Sequence, residues 1–348
     1  MSSAPVSSKN MLVLNNSTPL SEIPSIVSGH REIEIDCGVL ELSGKRLNDM
    51  MIAANGGNFE HFILRNVCGQ NLIGTGISRP AKISVYGMMG NHSCAFIDGL
   101  YVNTFPTRFP NGVWCPGDAQ VAIGTSANPE ELNIAGSVDD LFASYAPSGR
   151  FRVAGQGGNR CALRAGAGVP EIWREVNYDA LENKSDEERI EEMLYLYQKR
   201  RADIRTKGWN TYIDGFKREL ERRTPPIITF GRKVKDYFME YAQGTIGVVF
   251  NLYNIKRPTG YYVCSGMTAG KALIRGEVDD AQLGVHVKKV LLDDSDRELL
   301  MNETKGLYEC FNNVLHSDRY QGNLDRLMAA CDKDPEKFSS EFVKIVPA

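Results

Sequence analysis

The chain lacks most of the features that announce a chemistry. Its 348 residues contain no apolar run near the roughly 18 residues a membrane helix needs. The N-terminus, MSSAPVSSKNMLVL, has no basic stretch followed by a long apolar core, so no secretory signal is expected and the chain is read as cytoplasmic. Eight cysteines (Cys37, Cys68, Cys94, Cys115, Cys161, Cys264, Cys310 and Cys331) include no CxxC pair, and their spacing fits neither a zinc site nor an iron–sulfur ligand run. They read as reduced, structural thiols. His30, His61, His92, His286 and His316 are scattered, without HxH or HExxH spacing, so no metal site is expected. A GxxxxGK[ST] phosphate loop is missing. The net charge of −3 offers no global field for nucleic acid.

Glycine is what the chain has in quantity, most of it in the first half. Gly117, Gly136 and Gly155 stand 19 residues apart, twice in succession, and a short strand-like figure precedes the last two, LNIAG at 132–136 and FRVAG at 151–155. The figure recurs as ISVYG at 83–87, IITFG at 227–231 and ALIRG at 272–276. A period near 20 residues, with one strand and one turn per unit, predicts a mainly β chain folded as a right-handed parallel β-helix, a solenoid of about seven coils. The coils would end near Gly87, Gly117, Gly136, Gly155, Gly231, Asn251 and Gly276, with residues 100–110 as an extra loop in the second.

Three regions follow. Residues 1–65 read as an extended arm and an α/β cap, with strands at 11–14, 32–37 and 62–64 and a helix within 40–55 that stops at Asn55-Gly56-Gly57. Residues 66–276 carry the coils, interrupted at 169–224 by a segment rich in Glu, Lys, Arg, Leu and Tyr. There Ser185 and Glu188 form a capping box, and a second helix is expected over 211–222, ending at Pro225-Pro226, so the insertion reads as a helical hairpin. Its Tyr195, Tyr197, Trp209, Tyr212 and Phe216 would either dock a partner or pack on the chain itself. Residues 277–348 read as a helical C-terminal cap over the far end, with a capping box at Ser295 and Glu298 and helices to about Leu315 and over 324–331.

The chemistry-bearing candidates each have a plain structural reading. The stretch from Gly155 to Asn159 follows a strand, but no helix pattern opens after it, so it is a turn rather than a dinucleotide loop. Cys68, in Asn-Val-Cys-Gly-Gln, would need a base and an electropositive setting to act as a nucleophile, and reads as a packed turn residue. The pairs Asp139-Asp140, Asp279-Asp280 and Asp293-Asp294 read as solvated turn or helix-start acids.

The segments LRNVCGQNLIGTGI, from Leu64, and ISVYGMMGNHSCAFIDG, from Ile83, resemble the GXGXG β-helix family, which includes the C-terminal domain of glutamate synthase, in the form that stands as a separate polypeptide. YVCSGMTAGKALIRGEVDDAQLG at 262–284 and FVKIVP at 342–347 are similar to that family's end. The resemblance spans roughly 32–346 apart from the insertion, and departs from the pattern where Cys94, Ala143, Ala162 and Phe238 replace an expected mid-coil glycine that Gly124 keeps. It implies the β-helix and a non-catalytic assembly subunit of a glutamate-synthase-like oxidoreductase. The partners would be a synthase-like protein that holds FMN and an iron–sulfur cluster, and a glutaminase-like protein. This chain itself would have no catalytic, cofactor-binding or metal residue. The alternatives are the C-type β-helix component of a formylmethanofuran dehydrogenase or formyltransferase/hydrolase complex, and a free-standing scaffold.

Overall fold

The computed structural model describes residues 12–14, 18–28, 30–40, 42–55, 60–77, 82–166, 225–312, 314 and 318–348. The expected hairpin at 169–224 lies outside them, as do its aromatic anchors.

The mainly β solenoid is not the architecture found. A large mixed sheet of twelve strands dominates, accompanied by helices, an α/β arrangement. The first ten strands of the sheet pair in parallel: β1 (Leu12–Val13), β2 (Glu32–Asp36), β3 (His61–Cys68), β4 (Lys82–Met88), β5 (Tyr101–Phe105), β8 (Glu131–Ile134), β9 (Arg150–Val153), β10 (Ile227–Phe230), β11 (Gln243–Val249) and β12 (Ala269–Arg275). Two short strands, β6 (Thr107–Arg108) and β7 (Trp114–Cys115), form a separate antiparallel pair. At the far edge the direction reverses. The last strand, β14 (Phe342–Pro347), inserts antiparallel between β12 and β13 (Val287–Val290), which makes the sheet mixed.

The helices are α1 (Ile23–Val27), α2 (Cys37–Leu40), α3 (Gly44–Asn55), α4 (Asp294–Phe311), α5 (Asp318–Lys333) and α6 (Pro335–Ser340). The first three flank β2 at the N-terminal edge, with Leu47, Met50 and Met51 of α3 fully buried. The last three lie against the face of the sheet rather than closing its end as a cap. Their Leu300, Leu307, Phe311, Leu324 and Phe338 share one apolar cluster with Ala135, Ala154, Val248, Phe250 and Leu273 from the strand region. The opposite side of those strands joins the main core through Leu132, Ile134, Phe151, Val153, Ile228, Phe230, Val249 and Ile274.

Burial explains the strand sequences. β2 reads exposed-buried alternation, with Ile33 and Ile35 turned inward. β10, IITF, is buried at every position because both its faces are covered. The five glycine-terminated figures of the sequence fall within or at the end of β4, β8, β9, β10 and β12. Residues 100–110, expected as a loop, instead contribute β5 and β6: Val102 and Thr104 are buried while Tyr101 is exposed, a half-buried strand alternation. Thr104 also ties the excursion to its neighbours, its hydroxyl donating to Gly117 O at 2.7 Å and accepting from Ala135 N at 2.8 Å. The helix start near residue 295 is also different in detail. Asp293, not Ser295, is the N-cap, and Asp296 returns the bond to the Asp293 backbone N–H at 2.9 Å.

Candidate interaction surface

Successive parallel strands are joined by turns that align side by side, and their backbone is unusual. In seven of these turns every second residue takes a positive φ. The first positions are Leu72, His92, Ala122, Leu141, Arg160, Tyr237 and Tyr262, at φ between 53° and 64°. The middle positions are Gly74, Cys94, Gly124, Ala143, Ala162, Met239 and Cys264. The third are Gly76, Phe96, Ser126, Tyr145, Arg164, Tyr241 and Gly266. A left-handed backbone costs a non-glycine residue about 1–2 kcal/mol. It persists here because the turns are pinned to one another in both directions: outer positions donate to the next turn, Tyr145 N to Leu163 O at 2.8 Å, Arg164 N to Glu240 O at 2.9 Å and Tyr241 N to Ser265 O at 2.8 Å, while middle positions donate to the preceding one, Ala143 N to Ile123 O at 2.9 Å and Ala162 N to Phe142 O at 2.8 Å.

Middle positions point at the core, which restricts their size. A Cβ on Gly124 would stand 3.0 Å from Leu132 Cδ2 and 3.2 Å from the Phe151 ring. Cys94, Ala143 and Ala162 hold the equivalent places, as expected from the sequence, but Phe238 does not. Met239 is the left-handed middle residue of its turn, and Phe238 beside it fills the core against Phe230, ring centroids 5.8 Å apart. A shift of one residue exchanges core and turn positions, so the register could not be read from spacing alone.

Beside the first row runs a line of Asn and Asp side chains that cap the neighbouring turn. Asn71 Oδ1 accepts from Asn91 N at 2.8 Å, Asn91 Oδ1 from Val121 N at 3.1 Å, Asp140 Oδ1 from Asn159 N at 2.6 Å, Asn159 Oδ1 from Asp236 N at 3.3 Å and Asp236 Oδ1 from Tyr261 N at 2.8 Å. Asp140 is therefore a structural acceptor rather than a solvated acid. Asp279 caps a short 3-10 turn, and Asp293 pairs with Lys344 at 2.7 Å. The Gly155 to Asn159 stretch is part of such a turn, and no helix follows it through Gly166.

The Asn66 to Gln70 motif is likewise committed to internal hydrogen bonds. Asn66, at φ 54°, donates from Nδ2 to Asp36 Oδ1 at 3.0 Å; the Gln70 amide oxygen accepts from Cys68 N at 2.7 Å; Gly69 N reaches Met88 O at 2.8 Å. Cys68 is exposed. His92 is exposed at its turn, while His61 bridges Glu32 and Ser84 at 3.1 and 2.9 Å. The described residues contain no cluster of three or more His, Cys, Asp or Glu side chains arranged to hold a metal. Among them, no helix is long and apolar enough to cross a membrane.

Apart from the buried Ala122, the first and third rows lie at the surface or part-exposed, and they converge on one chemistry at their C-terminal end. Tyr145, Arg164 and Tyr241 are consecutive members of the third row, and the Arg164 guanidinium lies 6.0 Å and 5.7 Å from the two tyrosine rings. In the first row Arg160 stands 5.2 Å over Tyr237, whose ring stacks on Tyr262 at 4.8 Å. Tyr241 and Tyr262 remain 47% and 52% exposed. This ridge of tyrosine and arginine was not singled out from the sequence. Its members are far apart in the chain, and only the register of the turns brings them together.

No protein-family model matches the chain. An uncharacterized protein of Methanocaldococcus jannaschii is 27% identical over 105 residues, which cover 29% of this chain and 40% of that protein.

Proposed function

We propose that the chain is a non-catalytic assembly subunit of a glutamate-synthase-like oxidoreductase, working in the cytoplasm. Its partners on this reading are a protein that holds FMN and an iron–sulfur cluster, and a glutaminase-like protein that releases the amide nitrogen of glutamine. The single observation that carries a docking role is the Tyr145–Arg164–Tyr241 ridge with its neighbour Arg160–Tyr237–Tyr262. Tyrosine and arginine are the side chains that most often anchor protein interfaces, because each presents a large contact area together with a polar tip. The left-handed turns hold these residues in fixed relative positions before any partner arrives, which limits the ordering cost of association. The Asn66 to Gln70 motif supports the choice of complex. It resembles that family's motif, and its polar side chains are held by the Asp36 carboxylate and by its own backbone, which suits a structural rather than a chemical role.

The test is isolation of a tagged chain from its native host. The expected result is stoichiometric recovery of a partner with bound flavin and iron–sulfur cluster, together with glutaminase activity. The triple variant Tyr145→Ala, Arg164→Ala, Tyr241→Ala should lose both while melting within a few degrees of the parent, since its substitutions are on exposed or half-exposed side chains. Recovery of formyltransferase and amidohydrolase partners instead would overturn the choice of complex. Undiminished recovery by the triple variant would overturn the ridge as the docking surface.

A further inference from the structure

A polar cleft of ≈ 360 Å³ opens between the end of β11 and α5. The turn after β11 builds one wall. Asn251, at φ 46°, closes it by donating from Nδ2 to Ile255 O at 3.0 Å and accepting from Ile255 N at 2.8 Å, which sets Tyr253 and Asn254 on the rim. α5 supplies the facing wall with Arg319, Asn323 and Arg326, residues spaced to share one helix face. Arg275, at the end of β12, completes the lining. A fourth guanidinium, Arg232, comes from the segment after β10 and lies 4.6 Å over the Tyr253 ring, with Arg319 5.0 Å from the same ring.

The charge balance is one-sided. Glu341 accepts from Arg275 Nε at 2.7 Å. Among the described residues no carboxylate pairs with Arg232, Arg319 or Arg326. Among the described residues Arg326 reaches the Asn323 side-chain oxygen, and the buried Arg232 Nε meets no hydrogen-bond acceptor there. Elsewhere in the molecule a buried arginine has its counter-charge: Arg152 meets both Glu131 and Glu303. Guanidinium groups gathered without an anion repel one another and leave donors unused.

We propose that this cleft binds the phosphoryl group of a small molecule. Arginines from three separate parts of the chain line or overlook the site, and among the described residues the Glu341 carboxylate is the one paired with them. A lone carboxylate offers two oxygens to a single guanidinium fork, whereas a phosphoryl group offers three oxygens and close to two charges. The volume falls within the roughly 300–1,000 Å³ of small-molecule sites, leaving room beyond the phosphate for a polar remainder that the Asn254 and Asn323 amides can hydrogen-bond. The site is independent of the assembly role above, since it lies on other elements than the ridge.

Isothermal titration of the full chain with inorganic phosphate, pyrophosphate and citrate tests the assignment. Pyrophosphate should bind most tightly and raise the melting temperature, and its affinity should fall with added salt. The double variant Arg319→Gln, Arg326→Gln should bind it at least about tenfold more weakly, the cost of losing a hydrogen bond to a charged group. Arg297→Gln, on an exposed arginine paired with Asp294, should bind as the parent does. If the double variant fails to fold, Arg319→Lys, which keeps the charge and loses the fork, should weaken binding and leave the melt in place. No binding of any phosphate compound at millimolar concentration, tighter binding of citrate than of pyrophosphate, or equal binding by the arginine variants would overturn the proposal.

Discussion

Strands β2–β5 and β8–β12 belong to one sheet, yet among the described residues only the second group has helices packed on its other face. A single cross-sheet row shows the change. It runs Ser84, Asn103, Asn133, Arg152, Thr229, Val248 and Leu273, each in register with the next. The row begins polar, passes through a buried ionic group and ends apolar, in step with the arrival of α4–α6 on that face. On the uncovered half, neighbouring rows carry surface chemistry: Arg65 pairs with Glu34 at 2.8 Å and lies 4.6 Å over Tyr86, which stacks on Phe105 at 4.9 Å. On the covered half the same type of pair is sealed in. Glu303 of α4 accepts from Thr229 Oγ1 at 2.9 Å and approaches Arg152 Nε at 3.4 Å, with Arg150 Nε at 3.2 Å on its other oxygen. Burial works against the charge on Arg152, but Glu303 and Glu131 outweigh it and hold its pKa above the ordinary arginine value. The lesson is that the backbone ladder is indifferent to what covers it, while the worth of an ion pair is decided by its cover.

The largest test of that contrast removes one acid from each half. Glu303→Ala leaves Arg152 buried with half its counter-charge and should destabilise the chain by about 3–5 kcal/mol. Glu34→Ala, which takes away the partner of a half-exposed arginine, should cost only about 0–1 kcal/mol. Chemical denaturation of the two variants reads the difference, and similar losses would dissolve the distinction between the halves.

Acid should act mainly on the covered half. Lys271 and Lys344 overcome the burial of Asp296 and hold its pKa below the ordinary 3.8, and Arg152 does the same for Glu131 against 4.5. Asp293 is lowered too, chiefly by Lys344. With folded pKa values depressed, the unfolded chain takes up protons first. The stabilisation is full above about pH 5 and is lost as pH falls through the folded values. Asp118 works in the opposite sense, since burial raises its pKa and acidification favours its folded form. Melting followed from pH 6 downward should show the loss beginning below about pH 5. Lys344→Met should flatten it, whereas a profile unchanged in that variant would remove the Asp293–Asp296–Lys344 group from the account.

The smallest effect is on reactivity. Burial pushes the thiols of Cys37, Cys94 and Cys161 up to about 12, and that of Cys264 up as well, so none is thiolate near neutrality. Cys68 is exposed at its turn. Alkylation of the folded chain at about pH 8 should modify Cys68 first, and Cys68→Ser should abolish the fast phase without moving the melt. Rapid modification of Cys94 or Cys161 would mean that the turns open far more readily than their packing implies.

The repeating figure of apolar and β-branched residues before a glycine determined where strands would form, because strand preference and turn punctuation are written residue by residue; the continuous burial of β8, β9 and β10 was decided by what covers them. The α3 stop at Asn55 and the turn after residue 155 were legible for the same local reason. The architecture was not. A repeat of about 20 residues specifies a strand and a turn, but it does not say what lies on the sheet's outer face. Glu303 meeting Arg152, and β14 entering antiparallel beside β12, are contacts across long stretches of chain that leave no local signature. The candidate surfaces divide along the same line. Asn66 to Gln70 is contiguous and could be picked out as a motif. The Tyr145–Arg164–Tyr241 ridge and the Arg232, Arg275, Arg319 and Arg326 cleft exist only once strand register and helix docking are set, because their members come from separate turns and elements whose proximity is a property of the packed chain.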